Sequence, residues 1–66
     1  MIITINGRKE NVEKKLNLLG LIKSKKLSPE AIVVEHNFRI VPKEEWPTVL
    51  LNENDSIEIV SFVGGG

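Results

Sequence analysis

A chain of 66 residues without a single cysteine has to hold itself together by packing alone. At this size folding removes only about 60% of the unfolded chain's surface from water. The net stability to expect is then roughly 3–5 kcal/mol, supplied by one small core. The missing cysteines also exclude a disulfide framework, a thiolate nucleophile and a cysteine-type zinc site. The one histidine, His36, cannot form a metal cluster with itself. No apolar run approaches the length of a membrane span, and no signal-like stretch precedes one. The expectation is a soluble cytoplasmic protein with no membrane partner.

The residues that can build the core fall into short segments. Met1–Ile5 is β-branched and predicts a strand from the start of the chain, and Asn6-Gly7 predicts a tight turn into a second strand over residues 8–12. That second strand is polar, as suits an edge where charged side chains discourage further pairing. Asn17 is a plausible N-cap for a helix that presents Leu18, Leu19 and Ile22, with Leu21 flanking them. Lys23, Lys25 and Lys26 would complement its C-terminal dipole, and Ser28-Pro29 would stop it. Gly20 inside the helix costs about 1 kcal/mol against alanine, which predicts close packing against the sheet. Residues 31–36 read as a central strand, residues 38–41 as a further short one, and residues 42–47 as a proline-bounded loop anchored by Trp46. Asn52–Asp55 supplies a turn before the last strand. One helix between two pairs of strands, with a final strand after them, predicts a two-layer α+β domain with the helix across one face of the sheet.

Charge is zero overall but segregated. Residues 8–26 hold seven Lys or Arg and two Glu, whereas residues 30–58 hold two Lys or Arg and seven Asp or Glu. The basic half lacks interleaved aromatics and any nucleic-acid motif, so it reads as a solvated face that orients a protein partner, and no nucleic acid is expected. His36 has no acid–base partner near it in sequence and reads as structural, and the adjacent Glu44 and Glu45 do not face each other.

The last strand carries the functional signal. Its alternation puts Ile57, Ile59 and Ser61 on one face and Glu58, Val60 and Phe62 on the other. Val60 and Phe62 either mark a partner site or are covered by the Trp46 loop or a neighbouring strand; alternation alone leaves both open. The strand runs directly into Gly64, Gly65 and Gly66, which divides the chain into a domain over 1–63 and a tail over 64–66. Without a Cβ such a tail fits a channel barely wider than a main chain, and its terminal carboxylate would be an unhindered nucleophile. The plain alternative is a flexible end.

These residues form a pattern. Asn6-Gly7 after the first strand, Leu18-Leu19 in the helix, Val34 through Asn37, the run from Ile40 to Trp46, Asn54-Asp55 and the closing Val63-Gly64-Gly65-Gly66 resemble the ThiS family of thiamin-biosynthesis sulfur carriers, over essentially the whole chain. Two departures are visible: Asn54 stands where the family usually has glycine, and residues 10–17 are unusually polar. The resemblance implies a β-grasp, ubiquitin-like fold, a mixed sheet of four to five strands with one helix across one face. It implies that a ThiF-like adenylating enzyme uses ATP to convert the Gly66 carboxylate to an acyl-adenylate. A sulfur donor such as a cysteine desulfurase would then replace the AMP and leave a thiocarboxylate for thiazole synthase. Gly64, Gly65 and Gly66 would thread into the partners' active sites, with Val60 and Phe62 as the candidate docking residues. The chain would bind no cofactor itself and would be a co-substrate rather than an enzyme. The small subunit of molybdopterin synthase, another ubiquitin-like carrier and a non-carrier interaction module remain as alternatives.

Overall fold

The computed structural model describes residues 1–62. Strand β1 (Ile2–Ile5) turns into β2 (Arg8–Asn11), helix α1 (Leu18–Ser24) crosses over, and β3 (Ile32–His36), β4 (Arg39–Ile40) and β5 (Ser56–Ser61) complete the chain. Short 3₁₀ turns occupy Pro29–Ala31 and Lys43–Thr48. The five strands form one mixed sheet in the order β2-β1-β5-β3-β4. The central pair β1 and β5 is parallel, and every other neighbouring pair is antiparallel. This is the two-layer α+β domain that the element pattern predicts, in the β-grasp arrangement that the resemblance implies.

Local chemistry explains most of the boundaries. Asn6 and Gly7 take φ of 50° and 82°, the left-handed pair that a two-residue hairpin turn requires. The Asn17 side chain caps α1 by accepting from the Gly20 amide at 2.7 Å. The expected reason for Gly20 is corrected here. A Cβ at that position would come within 2.9 Å of Leu16 Cδ1 and 3.2 Å of Asn17 Oδ1. The glycine makes room for the capping loop, not for the sheet.

The helix also ends earlier than Ser28-Pro29. The Lys26 amide donates to the Lys23 carbonyl at 3.0 Å and the Leu27 amide to that of Ile22 at 3.5 Å, with Lys26 at φ 57°. This is a Schellman closure with lysine in the position glycine usually takes. Lys25 and Lys26 therefore lie past the helix, and Lys23 alone stands in its last turn.

The core lies between α1 and one face of the sheet. Ile3 and Ile5 of β1, Ile32 and Val34 of β3, and Ile57 of β5 meet Leu18, Leu21 and Ile22 of α1, with Trp46 and Leu51 closing the side. Leu21 rather than Leu19 belongs to the fully buried set. The register that buries Leu18 and Ile22 places the residue three after Leu18 on the same stripe. Trp46 is anchored as expected, its indole N–H donating to the Val41 carbonyl at 2.9 Å.

Candidate functional site

Strand β5 is the last element described, its C-terminal end is the exit toward residues 63–66 in sequence, and both of its neighbours hold it. On one side Asn6 acts three times. Its backbone N–H donates to the Ile57 carbonyl at 2.9 Å, its side-chain amide donates to the Ile59 carbonyl at 3.2 Å, and its side-chain oxygen accepts from the Ile59 amide at 2.7 Å. The side chain thus continues the β1–β5 ladder beyond the point where β1 turns away. On the other side β3 pairs from His36 opposite Ile57 to Ile32 opposite Ser61, and the Phe62 amide still donates to the Ala31 carbonyl at 3.1 Å. The backbone is fixed as far as Phe62. The domain boundary expected at residue 63 and the roles expected of Gly64, Gly65 and Gly66 lie outside the described residues.

The two candidate docking residues flank this exit. Ile57 is buried and Ile59 packs against the core, while Val60 is 54% and Phe62 60% exposed. The Trp46 loop lies on the helix side of the sheet, so it covers neither. Val33 stands directly opposite Val60 on β3 and is also exposed. Cross-strand neighbours share a face, so the open side of the sheet carries an apolar stripe beginning at the exit. The sequence shows the two β5 residues of this stripe but not their β3 partner, because that requires the register.

His36 proves to have an acidic partner after all. Its Nε2–H donates to Asp55 Oδ2 at 2.7 Å, across 19 residues. Asp55 also accepts from the Asn37 amide at 3.1 Å and from the Asn52 backbone N–H at 2.8 Å. Asn37 in turn accepts from the Ser56 amide at 2.8 Å and donates its own backbone N–H to the Ser56 carbonyl at 2.7 Å. Burial pushes the Asp55 carboxyl up, but the hydrogen bonds from His36, Asn52 and Asn37, together with the His36 charge, hold it below its ordinary value. Every acceptor position that His36 meets is already engaged in fastening the β3–β4 turn to the turn before β5. The pair is a clamp at the opposite end of β5 from the exit.

A depression of about 500 Å³ opens beside it, lined in part by Arg39, Ile40, Pro42 and Glu45, and it too is remote from the exit. Among the described residues no group of three or more His, Asp or Glu is placed to hold a metal ion. No helix among them is long and apolar enough to cross a membrane.

The residues that carry the family resemblance now separate into two kinds. Of these, Asn6, Val34 through Asn37, Trp46 and Asp55 build and lock the sheet, whereas Val63 to Gly66 lie outside the described residues; Val60 and Phe62, the docking candidates, are not among them and do not contribute to the core. A family model for the ThiS family matches residues 2–66. The chain belongs to the ThiS family. Sulfur carrier protein ThiS of Bacillus subtilis is 36% identical over 66 residues, with 98% of this chain and 100% of that protein aligned. The crystal structure of the thiamine biosynthesis protein ThiS from Geobacter metallireducens matches with a TM-score of 0.86 at 29% identity, covering 100% of both chains. A thiazole synthase of Magnetococcus marinus is 39% identical over 66 residues. That match takes in 100% of this chain but only 20% of the relative, so this ThiS-family chain spans one fifth of the length of that thiazole synthase.

Proposed function

We propose that this protein is a sulfur carrier of thiamin biosynthesis whose Gly66 carboxylate is the chemically active group. A carboxylate resists attack by sulfur nucleophiles because it has no leaving group. Attack of its oxygen on the α-phosphorus of ATP releases pyrophosphate and gives an acyl-adenylate. A persulfide then adds to the acyl carbon and expels AMP, and a second thiol cleaves the S–S bond to leave the thiocarboxylate. A ThiF-like enzyme supplies the site for the first step, a cysteine desulfurase or a relay persulfide supplies the sulfur, and thiazole synthase receives it. In this scheme ATP belongs to the partner and the carrier is a co-substrate in the cytoplasm.

The observation that carries the reading is the family match from residue 2 to residue 66, taken with a β5 that is braced by Asn6 as far as Ile59 and by β3 and Ala31 as far as Phe62. A carrier needs that combination: a rigid body to be recognised and a slender extension to be processed. The similarity of the chain to one fifth of a thiazole synthase supports the choice of acceptor.

The test is ATP–pyrophosphate exchange by a ThiF-like enzyme. The unmodified chain supports exchange, and a chain extended by one residue after Gly66 does not. Equal exchange by both would show that the terminal carboxylate is not the group activated.

A further inference from the structure

We propose that the open face of the sheet docks on the adenylating enzyme through a surface that is apolar and inserts a cation, an arginine by preference, between Glu35 and Glu58. This rests on the carrier reading above and names what the partner's surface must bring.

The register supplies the geometry. Glu35 of β3 lies directly opposite Glu58 of β5, and Ile40 of β4 lies opposite Glu35, so the three form one row across the face. The next row toward the exit is Val33 opposite Val60, and Phe62 lies beyond it. Two like charges directly opposite each other destabilise a sheet. The ion pairs among the described residues are Lys25–Glu10, Lys43–Glu30 and His36–Asp55, and neither glutamate takes part. Arg39 stands opposite His36 in the register, which places it on the other face, and Lys9 of β2 stands opposite Thr4 of β1. With β1 between them, Lys9 is two strands from β5, about 10 Å away.

The glutamates decide what can cover the valines. Any surface that buries Val33 and Val60 also strips water from the adjacent carboxylates, and two like charges side by side are best offset by a cation. A second copy of this chain, meeting it face to face, would bring two further glutamates to the same place. Nucleic acid and anionic membrane would be repelled. A protein surface with a guanidinium fits, because its planar fork can satisfy both carboxylates together. The valine row lies between the glutamates and Phe62, on the side of the sheet from which the chain continues toward Gly66, the residue that in the carrier reading has to enter the adenylating enzyme's active site.

The experiment is calorimetric titration of the unmodified chain and the E35Q/E58Q double variant into the ThiF-like enzyme without ATP, at low and high salt, beside the melting temperature of each free chain. Removing the repulsion raises the melting temperature of the double variant. Its affinity falls about tenfold and loses most of its salt dependence. Opposite signs for stability and binding exclude a folding defect as the cause. Affinity within about twofold of the unmodified chain, with the same salt dependence, would overturn the proposal. So would a melting temperature that falls together with the affinity. If the unmodified chain supports no pyrophosphate exchange while a control carrier does, the carrier reading itself fails and the docking proposal with it. Exchange by the unmodified chain, with binding by the double variant unimpaired, defeats the docking proposal alone.

Discussion

Asp55 is the residue on which the ends of three segments depend, and replacing it with alanine should nearly unfold the chain. Asp55 is 7% exposed, and its carboxylate accepts from His36, Asn37 and the Asn52 backbone at 2.7, 3.1 and 2.8 Å. A hydrogen bond to a charged group contributes about 1.5–3 kcal/mol net. The three share one acceptor and are not additive, and water reaches the Asn37 side of the cluster. A total loss of about 3 kcal/mol is then the expectation. Against the roughly 3–5 kcal/mol available to a domain of this size, little remains.

The pH dependence supplies a second check. The Asp55 carboxyl is held below its ordinary value of 3.8, so the folded state favours its ionised form. Its contribution is fully present above that ordinary value and is lost as pH falls through the lower folded value. The gap between the parent chain and D55A should therefore be widest near neutral pH and should narrow in acid. Urea unfolding at both pH values measures it. A loss under about 1 kcal/mol, or a gap that does not change with pH, would refute the assignment of this cluster as the clamp.

Three further outcomes are expected. Trp46→Ala removes a buried indole and leaves the Val41 carbonyl without its donor; a cost of about 3–5 kcal/mol should leave the far-ultraviolet signal of an unfolded chain. Phe38→Gly should stabilise by about 1 kcal/mol in urea titration, since Phe38 sits at φ 71° and is 82% exposed, so the strain relieved exceeds the backbone entropy lost. Gly65→Val should keep the melting temperature of the parent and abolish pyrophosphate exchange with the ThiF-like enzyme, and normal exchange would count against threading of the tail.

Local signals were enough for the order of elements. The Asn6-Gly7 turn, the Asn17 cap, the buried Trp46 and the alternation of β5 all act over a few residues, and each can be read directly. What could not be read depends on residues distant in sequence. The second use of Asn6, bracing Ile59 from 53 residues away, leaves no trace beyond a residue already accounted for by its turn. His36 looks solitary because its carboxylate partner arrives from 19 residues downstream. The pairing of Glu35 with Glu58 is equally invisible until β3 and β5 are aligned. The end of α1 is hidden for a different reason: Lys26 takes the left-handed position without being glycine, so the proline further on is the stronger signal in the sequence.

The most direct test of the carrier account is the intact mass of the chain after incubation with a ThiF-like enzyme, ATP and a cysteine desulfurase with its cysteine. The account predicts replacement of one oxygen by sulfur, mapping to the C-terminal peptide that ends in Gly66. An unchanged mass, obtained while the same enzymes convert a control carrier, would contradict it.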